Sequence, residues 1–328
     1  MTYSVRMDTY LIADIGATHA RFALTGEELT RPSGEVVVLP TGSFTDAVSM
    51  VGRALDALGT PACTDACFAV AGPVTDGRAQ ITNGGLAFSE QELAEHFDMG
   101  VYLVNDFFAV AAGVPHLMHL QRIGGSETPP DPTGIRAVLG PGSGLGMGIL
   151  VPEAEGEWRV LASEGGHADL APGSHLELEL LNHLMAEHGA VCWETVVSGP
   201  GLVNLYRAVS RMWGSEPRQL APEEISALGV EADDPVCHQT LELFFGFLGA
   251  AAGNLALTVC ARGGVYIAGG IAPALAEFAA ASPLRRRFDE RAELEHLVRD
   301  IPLYLILDEN PGLVGAARCL EAVRRRRG

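Results

Sequence analysis

The chain has 328 residues, 48% of them apolar and 19% charged, which describes a globular protein of about two domains rather than a disordered one. Acidic residues number 41 against 22 basic ones, giving a net charge of −19, and every basic residue is arginine. Phosphate backbones call for clustered bases, so no nucleic-acid partner is expected; without lysine, a P-loop lysine and a Schiff-base lysine are excluded as well.

In chain order, an apolar strand over 10–14 runs into the turn Asp14-Ile15-Gly16-Ala17-Thr18-His19-Ala20-Arg21, and a second strand over 21–25 leaves it. A glycine turn between two strands differs from the strand-to-helix phosphate loops of dinucleotide folds and P-loops. It fits a β-hairpin whose tip amides and acid face phosphates and a metal ion. Further strands are expected over 35–38, 66–71 and 101–105. Helices are expected over 43–58 with Ser43 as N-cap, over 89–97 with Ser89 and Glu92 as a capping box, and over 106–116. This alternation predicts an α/β domain with a mixed sheet.

The turn-rich stretch 124–132 marks a surface loop near a domain boundary. The pattern then restarts, with a strand over 135–139, the turn Gly140-Pro141-Gly142-Ser143-Gly144 and a returning strand over 145–151. Helices follow over 174–188, 199–212, 222–228 and 236–260, then strand 264–268, helix 291–299, strand 302–307 and helix 312–324. Leu243 to Ala261 carries no charge and contains Gly249-x-x-x-Gly253, yet its 3.6-residue apolar period and its Asn254 and Thr258 favour a core helix packed closely on a sheet over a membrane span. The arginine runs 285–287 and 324–327 read as solvated helix ends. Six scattered cysteines without zinc spacing predict reduced thiols. No signal peptide is expected, and a cytoplasmic location is.

Several segments combine into a resemblance that none would carry alone. They are the first hairpin, Leu103-Val104-Asn105-Asp106-Phe107, the second hairpin through Gly146, Glu164-Gly165-Gly166-His167-Ala168-Asp169, Ser198-Gly199-Pro200-Gly201, and Gly263-Gly264 through Gly269-Gly270-Ile271. In this order and spacing the chain resembles the bacterial glucokinases of the hexokinase superfamily, from about residue 10 to 320. The resemblance implies a two-domain actin-like ATPase (ribonuclease H-like) fold with an active-site cleft between a small domain, 1–116 with 312–328, and a large one, 117–311. It implies phosphorylation of glucose at its 6-hydroxyl by Mg-ATP, domain closure over the substrates, no membrane, and a homodimer.

Asp106 is the candidate general base, since a sugar hydroxyl attacking phosphorus needs a proton acceptor; read from the residues alone, Asn105-Asp106 equally suits a helix cap. The resemblance assigns Asn105, Asp106, Glu164, His167 and Glu194 to the glucose hydroxyls, with the glycines at 165 and 166 letting backbone approach the ring. Glu194 otherwise reads as a helix-start acid. For the donor, Ala13, Asp14, Ile15, Gly16, Ala17 and Thr18 and the turn Gly140, Gly142, Ser143 and Gly144 are expected to face phosphates. Gly269 and Gly270 are expected to face adenosine, and Asp14 to lie near Mg²⁺ through water. Arg21 could assist or form a structural ion pair. The chain departs from the family at Ala17 and His19, where Gly and Asn are usual, and in Thr82-Asn83-Gly84-Gly85-Leu86-Ala87-Phe88, which lacks a family Trp; Ala17 requires a backbone that avoids positive φ. Alternatives are a kinase for another hexose or amino sugar, a non-catalytic sugar-binding regulator, and a filament or chaperone ATPase.

Overall fold

The computed structural model describes residues 9–81 and 85–327. Its strands are β1 (Thr9–Ile15), β2 (His19–Thr25), β3 (Ser33–Pro40), β4 (Cys63–Val70), β5 (Val74–Thr75), β6 (Arg78–Gln80), β7 (Ala87–Ser89), β8 (Gly100–Asn105), β9 (Leu120–Arg122), β10 (Arg136–Pro141), β11 (Leu145–Pro152), β12 (Trp158–Ser163), β13 (Val265–Ile267) and β14 (Leu303–Ile306). Its helices are α1 (Ala47–Ala57), α2 (Glu90–Phe97), α3 (Asp106–Gly113), α4 (His175–His188), α5 (Gly199–Met212), α6 (Pro222–Val230), α7 (Pro235–Val259), α8 (Ile271–Ala274), α9 (Ala276–Ala281), α10 (Leu284–Asp289), α11 (Glu295–Arg299) and α12 (Pro311–Arg325). The chain forms two compact units. One takes in the chain to His119, Trp158–Ala162 and the segment from Asp308 onward; the other takes in Leu120–Glu157 and Ser163–Leu307.

The first unit is built on a mixed sheet of order β3-β2-β1-β4-β8, with β1–β2 and β2–β3 antiparallel and β1–β4 and β4–β8 parallel. Strand β1 is apolar at nearly every position because both faces of the sheet are covered. Leu11, Ala13 and Ile15 pack with Met50, Val51 and Ala54 of α1 and Leu93 of α2. Tyr10 and Ile12 face the other way, onto Ala109 of α3 and Leu313, Ala316 and Leu320 of α12. The small sheet β5-β6-β7 is separate. Helix α1 starts later than its sequence predicts: Asp46, not Ser43, is the N-cap, with Oδ1 accepting from Ser49 N at 2.7 Å, while Ser43 ends a 3₁₀ turn. Ser89 caps α2 as expected, its Oγ accepting from Glu92 N.

The second sheet has the order β12-β11-β10-β13-β14-β9. Numbered from β10, its first five strands repeat the 3-2-1-4-5 order of the first sheet, so the two glycine hairpins, β1–β2 and β10–β11, occupy equivalent places in two sheets of one plan. Helix α7 is long and apolar enough to cross a membrane by length and composition, yet every residue from Leu243 to Gly253 is buried in the core. Its close approach is to a helix rather than to the sheet: a Cβ at Gly249 would lie 2.1 Å from the Leu284 carbonyl oxygen, and one at Gly253 would lie 2.6 Å from that of Phe288, both on α10.

The arginine runs are less solvated than their composition predicts. Arg287 forms a buried pair with Glu177 at 2.8 Å, and Arg285 donates to the Ile301 and Arg299 carbonyls. Arg324 and Arg327 lie over the rings of Tyr10 and Tyr102. All six cysteines are free.

Candidate active site

In the first unit, the carboxyl ends of parallel strands β1 and β8 deliver the acids. Asp14 is the penultimate residue of β1, and β8 ends at Asn105, one residue before α3 begins. Open α/β sheets present ligands at this edge. Asn105 is the N-cap of α3, its Oδ1 accepting from Phe108 N at 3.0 Å, while its Nδ2 donates to Gly72 O at 3.1 Å and to Asp106 Oδ1 at 3.0 Å. Asp106 Oδ1 also accepts from Phe107 N at 2.9 Å, and none of these bonds engages Oδ2. The capping role therefore falls to Asn105, and it leaves one oxygen of Asp106 for other chemistry.

Burial, reinforced by the charge of Asp14, pushes the Asp106 carboxyl up to about 7, against the pull of the Phe107 amide and Asn105. Burial also raises Asp14, with Arg21, its cross-strand partner, drawing it back. An acid pushed up to about 7 at a strand edge, beside a second acid that burial also raises, is suited to proton acceptance.

Helix α12 braces this pair, a contribution that the sequence reading did not assign. A Cβ at Gly312 would lie 2.6 Å from Asp14 Cγ, and one at Gly315 only 1.7 Å from the Ala109 carbonyl oxygen of α3. The helix carrying Asp106 and the strand carrying Asp14 thus rest on the same glycine face. The visible signal was Gly312-x-x-Gly315 opening an apolar helix.

The hairpin tip supplies amides. Ala13 and Ile15 are core residues that contribute only backbone, and Gly16 N donates to His19 O at 3.0 Å. Ala17 avoids the left-handed region, which accommodates its methyl. The amides of Ala17 and Thr18 have no hydrogen-bond partner among the described residues, and Thr18 and His19 are exposed. In the sugar-side turn, Thr82-Asn83-Gly84 lies outside the described residues.

The second unit gathers the remaining candidates. The tip Gly142-Ser143-Gly144 is closed by Gly142 N donating to Gly144 O at 2.8 Å and tied to the start of α5 by Gly199 N donating to Gly142 O at 2.8 Å. Gly140 and Gly269 are required by close backbone approach: a Cβ on Gly140 would lie 2.6 Å from the Ala268 carbonyl carbon, and one on Gly269, at φ +85°, 2.3 Å from Pro141 O. The second hairpin and the Gly269-Gly270 turn are therefore neighbours.

His167 and Glu194 meet because residues 168–170 run alongside 191–193, with Trp193 N donating to Ala168 O at 3.1 Å and Leu170 N to Val191 O at 3.1 Å. His167 Nε2 lies 3.6 Å from Glu194 Oε1, and Glu194 Oε2 accepts from Leu145 N at 2.7 Å, at the exit of the second hairpin. Glu194 is thus more than a helix-start acid. Glu164 is exposed and opens the 3₁₀ turn that ends at His167. The glycines between them also seat the turn on β11: a Cβ at Gly166 would lie 2.1 Å from Leu145 O and one at Gly165 2.8 Å from Met147 Sδ.

A two-domain α/β chain with a glycine hairpin in each sheet and a buried acid of raised pKa at a strand end belongs to the actin-like ATPase fold, in its sugar-kinase branch. The profile of the family described as Glucokinase matches residues 11–323. A glucokinase of Saccharophagus degradans is 40% identical over 318 residues, covering 96% of this chain and 99% of the relative. One from Paramagnetospirillum magneticum is 40% identical, covering 94% and 96%. The crystal structure of a glucokinase from an Antarctic psychrotroph superposes with a TM-score of 0.81 at 35% identity, covering 96% and 99%. The chain belongs to the glucokinase family and is an ATP-dependent hexose kinase.

Proposed function

We propose that the two clusters serve one reaction, transfer of the γ-phosphoryl group of ATP to the 6-hydroxyl of glucose. The observation that carries this reading is the Asp106 carboxyl, pushed up to about 7 and with no hydrogen bond to Oδ2 among the described residues. Asp106 accepts the hydroxyl proton as the oxygen attacks phosphorus in line. Asn105, Glu164, His167 and Glu194 orient the remaining hydroxyls, the His167–Glu194 pair offering a donor beside an acceptor. The amides of Ala17 and Thr18, which have no partner among the described residues, receive phosphates together with Gly140, Gly142, Ser143 and Gly144, and Gly269-Gly270 lets adenosine lie close to the backbone.

A relative solved with glucose, from Balamuthia mandrillaris, shares the fold with a TM-score of 0.80 at 24% identity. Another from Streptomyces griseus, solved with glucose and AMPPNP, has a TM-score of 0.66 at 19% identity. Both sets of ligands match the substrates proposed here.

Asp14 beside Asp106 is an oxygen donor set suited to a hard cation, and the described residues form no cluster of three or more metal-binding side chains. This fits Mg²⁺ carried in by the nucleotide, which Asp14 would help to hold. When bound, the ion neutralises charge on the transferring phosphoryl group. The reading extends to a cytoplasmic protein, in keeping with free thiols at all six cysteines, and to a homodimer, testable by sedimentation.

The test is coupled ADP release with Mg-ATP and a panel of hexoses and amino sugars. Glucose should give the highest kcat/KM. A higher kcat/KM for another sugar would transfer the assignment to that sugar.

A further inference from the structure

We propose that Thr41 is a positioning residue for nucleotide binding, aiming the Ala17 amide of the first hairpin at the phosphates. This rests on the reading that the hairpin tip receives the nucleotide. Thr41 follows Pro40, the last residue of β3, and is 2% exposed, although Gly42 and Ser43 beside it are open to solvent. Its side chain and backbone both turn back to the tip. Oγ1 donates to Gly16 O at 2.8 Å, and the Thr41 amide donates to Thr18 O at 3.0 Å. Carbonyls on both sides of Ala17 are therefore held by one residue.

Peptide planarity supplies the consequence. In a trans peptide the C=O and the following N–H point in opposite directions. Because Gly16 O is drawn toward Thr41, the N–H of Ala17 is turned to the opposite side. That N–H is one of the two tip amides without a partner among the described residues. A hairpin tip of Gly-Ala-Thr would otherwise be free to rotate this peptide, and rotation would remove the donor from the phosphate. With no lysine in the chain, each oriented amide carries a larger share of anion recognition.

Thr41→Val keeps the shape and removes the hydroxyl; Thr41→Ser keeps the hydroxyl. Losing a hydrogen bond that aims a donor at a charged group should raise the KM for ATP and the calorimetric Kd for ADP about tenfold. The KM for glucose should stay within twofold, and Thr41→Ser should restore nucleotide binding. If Thr41→Val does not fold, Thr41→Ala removes the same hydroxyl and is read in the same way. The proposal is overturned if a folded variant without the hydroxyl binds nucleotide within twofold of wild type, or if it weakens glucose equally. Wild-type protein that binds ADP without glucose-dependent turnover would instead count against the kinase reading while leaving this proposal measurable and, with the tenfold loss in Kd, supported.

Discussion

A carboxyl group held near pH 7 makes Asp106 sensitive to pH in a direction its surroundings dictate. The base must be ionised to accept a proton, so kcat/KM for glucose should fall as pH drops through about 7, with a slope of one, and level off above it. Asp14 contributes to the elevation by charge repulsion, so Asp14→Asn should move the acid limb of the remaining activity to lower pH. A limb that stays in place would remove Asp14 as a cause. The pair Asn105-Asp106 was legible in the sequence as either a cap or a base. The structure gives the cap to Asn105, which alone takes the Phe108 amide, and so leaves Asp106 available for the proposed base. Glu194 was harder to read, since its partners His167 and Leu145 are distant in the chain and meet only through the pairing of 168–170 with 191–193.

Among elements, glycines set the distances between helices. Gly315 brings α12 onto α3, which starts at Asp106, whereas Gly249 brings α7 onto α10 in the other unit. Adding a methyl at either place forces backbone apart and should lower stability by roughly 1–3 kcal/mol. Only Gly315→Ala should also reduce kcat in protein that remains folded, because only that shift moves the proposed base. Equal kcat losses for Gly315→Ala and Gly249→Ala, compared below both melting transitions, would contradict the brace. The hairpins and long helices were legible because glycine turns, capping residues and apolar periods are local. Strands β5 to β7, β9 and β12 were not, being short or largely exposed, and the small-residue run of α8 and α9 carries no clear period. Ser43 was misread as a cap because Asp46, three residues on, offers a better-placed acceptor.

For the whole molecule, the same acid that equips the site should weaken the fold. Below about pH 4 the Asp106 carboxyl is protonated whether folded or unfolded, and no difference arises. As pH rises toward about 7 the unfolded chain ionises while the folded one retains its proton, so stability is lost across that window, with a ceiling of roughly 4 kcal/mol above it. Asp106→Asn should therefore melt a few degrees higher than wild type at pH 8, and the gap should close near pH 4. A gap independent of pH would refute the assignment of that cost to ionisation. The repeated 3-2-1-4-5 sheet order was foreshadowed by two hairpins about 125 residues apart, but the order itself depends on pairings of distant strands that no local pattern records. The most direct test of the central claim compares wild type and Asp106→Asn for glucose-dependent ADP release, with glucose binding followed by calorimetry. The account predicts a kcat lower by roughly 10²–10⁴ in the variant with glucose still bound. A variant that keeps turnover within a few-fold of wild type would contradict it.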